Sequence, residues 1–239
     1  GVRLTLVLKG ENSLTAHKLK SAIHVPEGAT LVISEEDAGS LTVKGGEKAA
    51  GIGGYGADGY YDTLIEKAGS ILIYGGKITA EYNTGEEDDE VAVALGGGYG
   101  RVGVPYYNQR NGSIGGSVEK IAIYGGEVIA PLGHIGGGNG RKSYSSGKGG
   151  DGGTVDCMII AGGNIQAKSI GGGDGGGRLD DSRGTYGLGG NVTEFIISGG
   201  TLTAEWIGAG SSLDPDKQGK CDKLTITGGS VNLTDTKPH

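Results

Sequence analysis

Tyr106 and Tyr107, followed by Asn108 and, two residues later, Arg110, form the densest group of chemistry-bearing side chains in this chain. A sugar ring offers an apolar face to an aromatic side chain and hydroxyls to polar side chains that bond in pairs, so this mixture fits saccharide recognition. Segments of the same composition carry Tyr55, Tyr60, Tyr61, Tyr99, Tyr144 and Tyr186, with Asp58, Arg141, Asp180 and Arg183 as polar partners. The candidate ligand-binding set is therefore Tyr55, Tyr60, Tyr61, Tyr99, Tyr106, Tyr107, Asn108, Arg110, Tyr144, Asp180, Arg183 and Tyr186. The same composition suits protein recognition, as in antibody loops. A plainer alternative is solvated loops whose tyrosines pack on neighbouring backbone.

Other chemistries lack their residues. His17, His24, His134 and His239 are dispersed, with no Ser or Cys at a spacing that suggests a triad. His134 precedes a glycine cluster and reads as a loop residue. The acidic run Glu86–Glu90 could offer oxygens to calcium. Neighbouring residues on a strand face opposite ways, however, so it reads as a solvated loop. Asp174, Asp180 and Asp181 stand close together without the nonapeptide register of calcium-binding repeats. A phosphate loop needs Gly-Lys-Ser/Thr opening a helix, and neither is present. Outward threonines at 201, 203, 225 and 227 are too local for an ice-binding face. We expect no metal, no cofactor and no catalytic role. A polysaccharide lyase or glycoside hydrolase stays open as a lesser alternative, with Asp180, Asp181, Arg178 and Arg183 as the place to look.

These segments must be positioned by something regular. Doubled glycines follow short alternating runs at Gly45, Gly75, Gly125, Gly162, Gly199 and Gly228, which lie 30, 50, 37, 37 and 29 residues apart. A constant module at a variable period marks a repeat architecture with insertions. Two and four residues before each pair stand Leu41/Val43, Ile71/Ile73, Ile121/Ile123, Met158/Ile160, Phe195/Ile197 and Leu224/Ile226. Period-two alternation predicts strands with these residues inward. A column of Ala80, Ala130, Ala167 and Ala204 follows the pairs, and further glycine clusters precede each insertion. Three short strands per unit, turned by glycine, predict a right-handed parallel β-helix with all long insertions leaving at one corner. Residues 1–239 then form one domain, with irregular coils over 1–44 and Gly-Gly coils over 45–239. Cys157 should face outward and Cys221 should replace an inward Val. They should lie about two coils, or ~10 Å, apart, beyond the ~7 Å a disulfide spans. Two free thiols are expected.

The runs AIHVPEGATLVI (22–33), GSLTVKGG (39–46), AAGIGG (49–54) and the later xIxIxGGxxxAxxIGGG units resemble the glycine-rich β-helix repeats of large surface proteins of Gram-positive, often gut-dwelling, bacteria. The likeness spans the whole chain and rests on core and corner residues. It implies a cell-surface or secreted setting beside adhesion and carbohydrate-binding modules, and it carries over no functional residue. Gly makes up 54 of 239 residues, against single copies of Phe, Trp and Met, so the core is aliphatic. A net charge of −7 disfavours nucleic acid and anionic membranes, and no run of ~18 apolar residues is present. Opening on Gly1, the chain reads as an excerpt of a longer protein, monomeric in itself. The expected function is extracellular recognition of a glycan, another surface polymer or a protein. The alternative is a structural spacer.

Overall fold

The computed structural model describes residues 1–57, 65–83, 93–100, 111–144, 146–178 and 184–234. Among them the chain forms fourteen strands: β1 Arg3–Thr15, β2 Ile23–His24, β3 Thr30–Glu47, β4 Ile52–Gly53, β5 Ala68–Ile73, β6 Lys77–Asn83, β7 Val93–Gly96, β8 Val118–Ile123, β9 Glu127–Gly136, β10 Val155–Ile160, β11 Asn164–Gly171, β12 Val192–Ala204, β13 Trp206–Gly208 and β14 Cys221–Leu233. Every pairing between these strands is parallel. One short 3₁₀ turn, Pro215–Lys217, is capped by the Asp214 side chain.

The expected right-handed parallel β-helix is corrected. That architecture was built on three short strands per coil, joined by glycine corners. Instead β3 and β12 run on through the corner and pair on both sides of it. The first half of β12 pairs with β10 and its second half with β11. The first half of β3 pairs with β5 and its second half with β6. The pairings therefore close a ring of eight parallel strands, β3-β5-β8-β10-β12-β11-β9-β6 and back to β3. This closed parallel barrel of strands replaces the solenoid description. β1 and β14 lie outside the ring, paired with β3 and β12 respectively.

The doubled glycine bends β12 at Gly199–Gly200 and β14 at Gly228–Gly229 without ending them, and it separates β5 from β6, β8 from β9 and β10 from β11; in each case its second member takes a positive φ. Gly76, Gly126, Gly163, Gly200 and Gly229 lie between 83° and 92°, a region that disfavours any side chain. The Gly45 pair is not their equivalent. Leu41 pairs with Ile78 and Val43 with Ala80, so this run occupies the position after the corner, one strand later than its spelling predicts.

The predicted inward columns hold. Ile71, Ile73, Ile121, Ile123, Met158, Ile160 and Phe195 are fully buried, and Ile197 nearly so. Each large aliphatic side chain so buried contributes roughly 1.5–3 kcal/mol. Register lines them up: Met158 sits opposite both Ile121 and Phe195. A further column, Ile52, Leu95, Ile135 and Ile170, closes the third side of the core. Leu224 and Ile226 stand in line with the first column but remain half exposed, because β14 has no neighbour on its far side among the described residues. Cys157 lies opposite Glu194 and Cys221 opposite Val192. Both thiols are free, as expected, and partial burial pushes the pKa of each up.

Candidate functional site: the glycine-rich insertions

Each insertion leaves after a third-side strand and returns into the next first-side strand. The sequence predicts loops; the described parts form a packed slab. The amide of Gly116 donates to the carbonyl of Gly98 (2.7 Å), that of Gly138 to Gly116 (2.8 Å), and that of Gly153 to Gly138 (2.7 Å). The row continues from Gly173 to Gly153 (2.9 Å), Gly190 to Gly173 (2.8 Å), Gly210 to Gly190 (2.8 Å) and Gly219 to Gly210 (2.9 Å). Outgoing and returning runs alternate along it. A second row repeats the pattern: Gly150 donates to Arg141, Gly176 to Gly150, and Gly187 to Gly176.

The glycines in these runs recur every third residue, as in Gly137/Gly140, Gly150/Gly153, Gly173/Gly176 and Gly187/Gly190. Three residues per turn is the period of the extended polyproline-II helix, which makes no internal hydrogen bonds and leaves its backbone free to bond neighbours. Space requires glycine here: a Cβ on Gly138 would overlap the carbonyl oxygen of Gly98, and one on Gly153 that of Gly116.

Polar side chains stitch successive insertions together. Asn139 Oδ1 accepts from the Asp174 amide, and Asp174 Oδ1 accepts from both the amide and the hydroxyl of Ser211, each at 2.8 Å. Asp151 Oδ1 accepts from the Leu188 amide and Asn111 Oδ1 from the Lys148 amide, again at 2.8 Å. Asp174, considered for calcium, thus spends one carboxylate oxygen on its neighbouring insertion. Its companions Asp180 and Asp181 and the acidic run Glu86–Glu90 lie outside the described residues.

The candidate tyrosines divide in the same way. Tyr55 stacks on His24 with ring centroids 3.8 Å apart, and the Lys20 ammonium lies 4.0 Å from its ring centroid. Tyr99 is buried with Ala50 and Val93, under the Arg141 guanidinium at 5.8 Å. Arg141 is itself only 3% exposed, and burial pulls its pKa down to about 10. The Tyr186 hydroxyl accepts from an Arg178 Nη at 2.7 Å. Tyr144 is 37% exposed. Tyr60, Tyr61, Tyr106, Tyr107, Asn108, Arg110, Asp180 and Arg183, with Asp58, lie outside the described residues. Tyr74 and Tyr124 stack at 4.7 Å, as equivalent outward positions on neighbouring strands should.

One polar pair was missed. His134 is not in a loop but in β9, fully enclosed, with Nδ1 2.7 Å from Ser169 Oγ and Nε2 3.1 Å from the Gly171 carbonyl. A carbonyl only accepts, so the proton sits on Nε2, and Nδ1 accepts from the Ser169 hydroxyl. Both residues are buried, so a substrate cannot reach this Ser–His pair and it acts as a lock between strands. Desolvation holds the imidazole pKa below its ordinary value, outweighing the nearby Asp174 carboxylate and the backbone carbonyl. Aligning on the second glycine cluster, Gly136 with Gly171, sets His134 opposite Ser169, whereas aligning on the doubled glycines sets it opposite Gly171, because the register shifts after Ala167. Among the described residues no three His, Cys, Asp or Glu side chains gather as a metal site.

Searches against family models, characterised proteins and solved structures find no significant match to this chain.

Proposed function

We propose that this chain is a stiff structural module of a cell-surface or secreted protein, a spacer that holds its shape under load. The observation that carries the reading is the unbroken row of amide-to-carbonyl bonds from Gly98 to Gly219, which ties the described parts of the last four insertions one to the next. Extended backbone bonded across its length resists shear, and side-chain-free packing leaves little slack. Tyr55, Tyr99 and Tyr186, first candidates for a ligand, are engaged within the chain itself. Single-molecule pulling between the two ends tests this. The chain should hold its folded length and then fail in abrupt steps, each 37-residue repeat that lets go adding about 12–13 nm. Gradual lengthening at low force, with the insertions paying out before any ladder strand, would sink the reading.

Recognition of a glycan or surface polymer is the second reading, favoured by Tyr144, the described candidate whose ring stays open to solvent. On this reading a glycan array shows binding by the parent chain that Tyr144→Ala weakens at least tenfold. Binding that survives the substitution removes Tyr144 from the site.

A further inference from the structure

We propose that the open face of Tyr124 is a carbohydrate subsite, where a neutral pyranose ring stacks in the place a third tyrosine would take. The site lies on the outer face of the first-side strands, away from the glycine-rich insertions. It shares a ligand class with the second reading above but none of its residues, and a stiff spacer can carry it.

The last outward residue before each corner is Ser34 on β3, Tyr74 after β5, Tyr124 after β8, Ala161 after β10 and Ser198 on β12. Backbone bonds hold them in line. The Tyr74 amide donates to the Ile33 carbonyl, that of Tyr124 to Ile73 and that of Ala161 to Ile123. Ser198 follows Ile197, which lies opposite Ile160. Since Ser34, Ala161 and Ser198 are small, the corner itself requires no ring. Tyr74 and Tyr124 nevertheless stack there, 4.7 Å apart with planes 17° from parallel. They stay 50% and 38% exposed. Neither phenol hydroxyl is bonded among the described residues.

The stack of two ends in a step. Tyr74 covers one face of Tyr124, and by register the other face lies on the side of Ala161 and, beyond it, Ser198. Two strand spacings, about 9.6 Å, separate the Tyr124 and Ser198 backbones. One ring fits between them in van der Waals contact with Tyr124. Ile159 and Ile196, outward and half-buried, give the floor an apolar flank. Across the glycines, Asn164 and Thr201 are exposed and opposite each other, offering an amide and a hydroxyl.

These surroundings select the ligand. A sugar ring sets its carbon–hydrogen face on the tyrosine and its edge hydroxyls toward Ser198, Asn164 and Thr201. An aromatic side chain from a partner would leave those polar groups covered and unpaired. At the far end of the stack Glu35 lies against Gly75, where an added Cβ would meet its side chain at 3.1 Å, and Glu36 and Asp37 follow it, exposed. Glu127, opposite Asn164, is neutralised by Lys77 at 3.1 Å. An anionic sugar would meet net negative charge here, so the ring is neutral.

Titration calorimetry with neutral gluco-, manno- and galacto-oligosaccharides tests this, with an oligogalacturonate as the anionic control. At least one neutral oligosaccharide should bind the parent chain. Ala161→Tyr should weaken that binding by about tenfold or more, because a third ring fills the step. Tyr124→Ala should do the same by removing the wall, while Tyr124→Phe keeps the stacking face and should stay within about threefold. This second pair repeats the test without adding bulk, and circular dichroism confirms that each variant folds. The proposal is overturned if no neutral oligosaccharide binds, if the oligogalacturonate binds more tightly, or if the Ala161→Tyr and Tyr124→Ala chains bind like the parent. Binding that Tyr144→Ala abolishes and Ala161→Tyr leaves intact would support the second reading and overturn this one.

Discussion

Gly138→Ala is expected to destabilise the protein by about 3 kcal/mol or more, at the top of the range for overpacking. The added methyl would overlap the Gly98 carbonyl oxygen and lie close to the Gly116 amide. Both belong to backbone that is itself held by hydrogen bonds on either side, so neither can retreat as a side chain would. Three of the seven bonds in the row from Gly98 to Gly219 are in reach of the disturbance, from Gly116 to Gly98, Gly138 to Gly116 and Gly153 to Gly138. The melting temperature should fall by roughly 6–12 °C for a chain of this size. Gly177→Ala is the control. Its Cβ would meet only side chains, Leu213 Cδ1 at 3.4 Å and Lys142 Cγ at 3.9 Å, and Leu213 is exposed and can move. It should melt within a degree or two of the parent. Equal losses from the two substitutions would mean that the insertions are not packed backbone to backbone.

The core was legible in the sequence because burial there depends on one variable, the parity of a position within its strand. Ile121, Ile123, Met158 and Phe195 could be placed inward with no knowledge of which strand pairs with which. Closure was not legible. A doubled glycine separates two strands at Gly75, Gly125 and Gly162 and is run through at Gly199 and Gly228, and its own spelling does not distinguish the two. Gly199 and Gly200 read the same in either case, yet β12 runs straight through them. The Gly45 pair shows the complementary failure: its spelling matches the others, while register puts it after the corner.

The insertions were misread for a related reason. Gly, Asn, Asp and Ser usually report loops because they tolerate turns and bond their own backbone. Here the same residues serve packing: the glycines make room for close backbone, and Asn139, Asp151 and Asp174 reach the next insertion. The triplet spacing of glycine was the available signal, since a flexible loop has no reason to keep a period of three. Tyrosine misled in a similar way. Tyr99 looks like a surface ligand in composition, but the slab encloses it against Val93.

His134→Ala should cost about 3 kcal/mol at pH 7.5, from the cavity and from the polar partners left behind. The Ser169 hydroxyl and the Gly171 carbonyl would both lose the ring that joins them, in a core that excludes water. The same site should make the parent acid-sensitive. Burial holds the folded-state pKa of His134 below the unfolded value, which is about 6.5. Between those two values the unfolded chain binds more protons, so stability rises with pH across the window. No penalty exists above about pH 6.5, and it grows as pH falls toward the folded pKa. Asp174 opposes the shift by favouring the charged ring, but desolvation is the larger effect. Protonation would also put a second N–H against Ser169, forcing its hydroxyl to turn and accept. Urea midpoints at pH 7.5 and 5.5 measure this. The parent should lose more stability between them than His134→Ala does, because the variant has no buried imidazole left to charge. Equal losses would mean that the ring takes up a proton without strain, and the lock between β9 and β11 would have to be read as an ordinary contact.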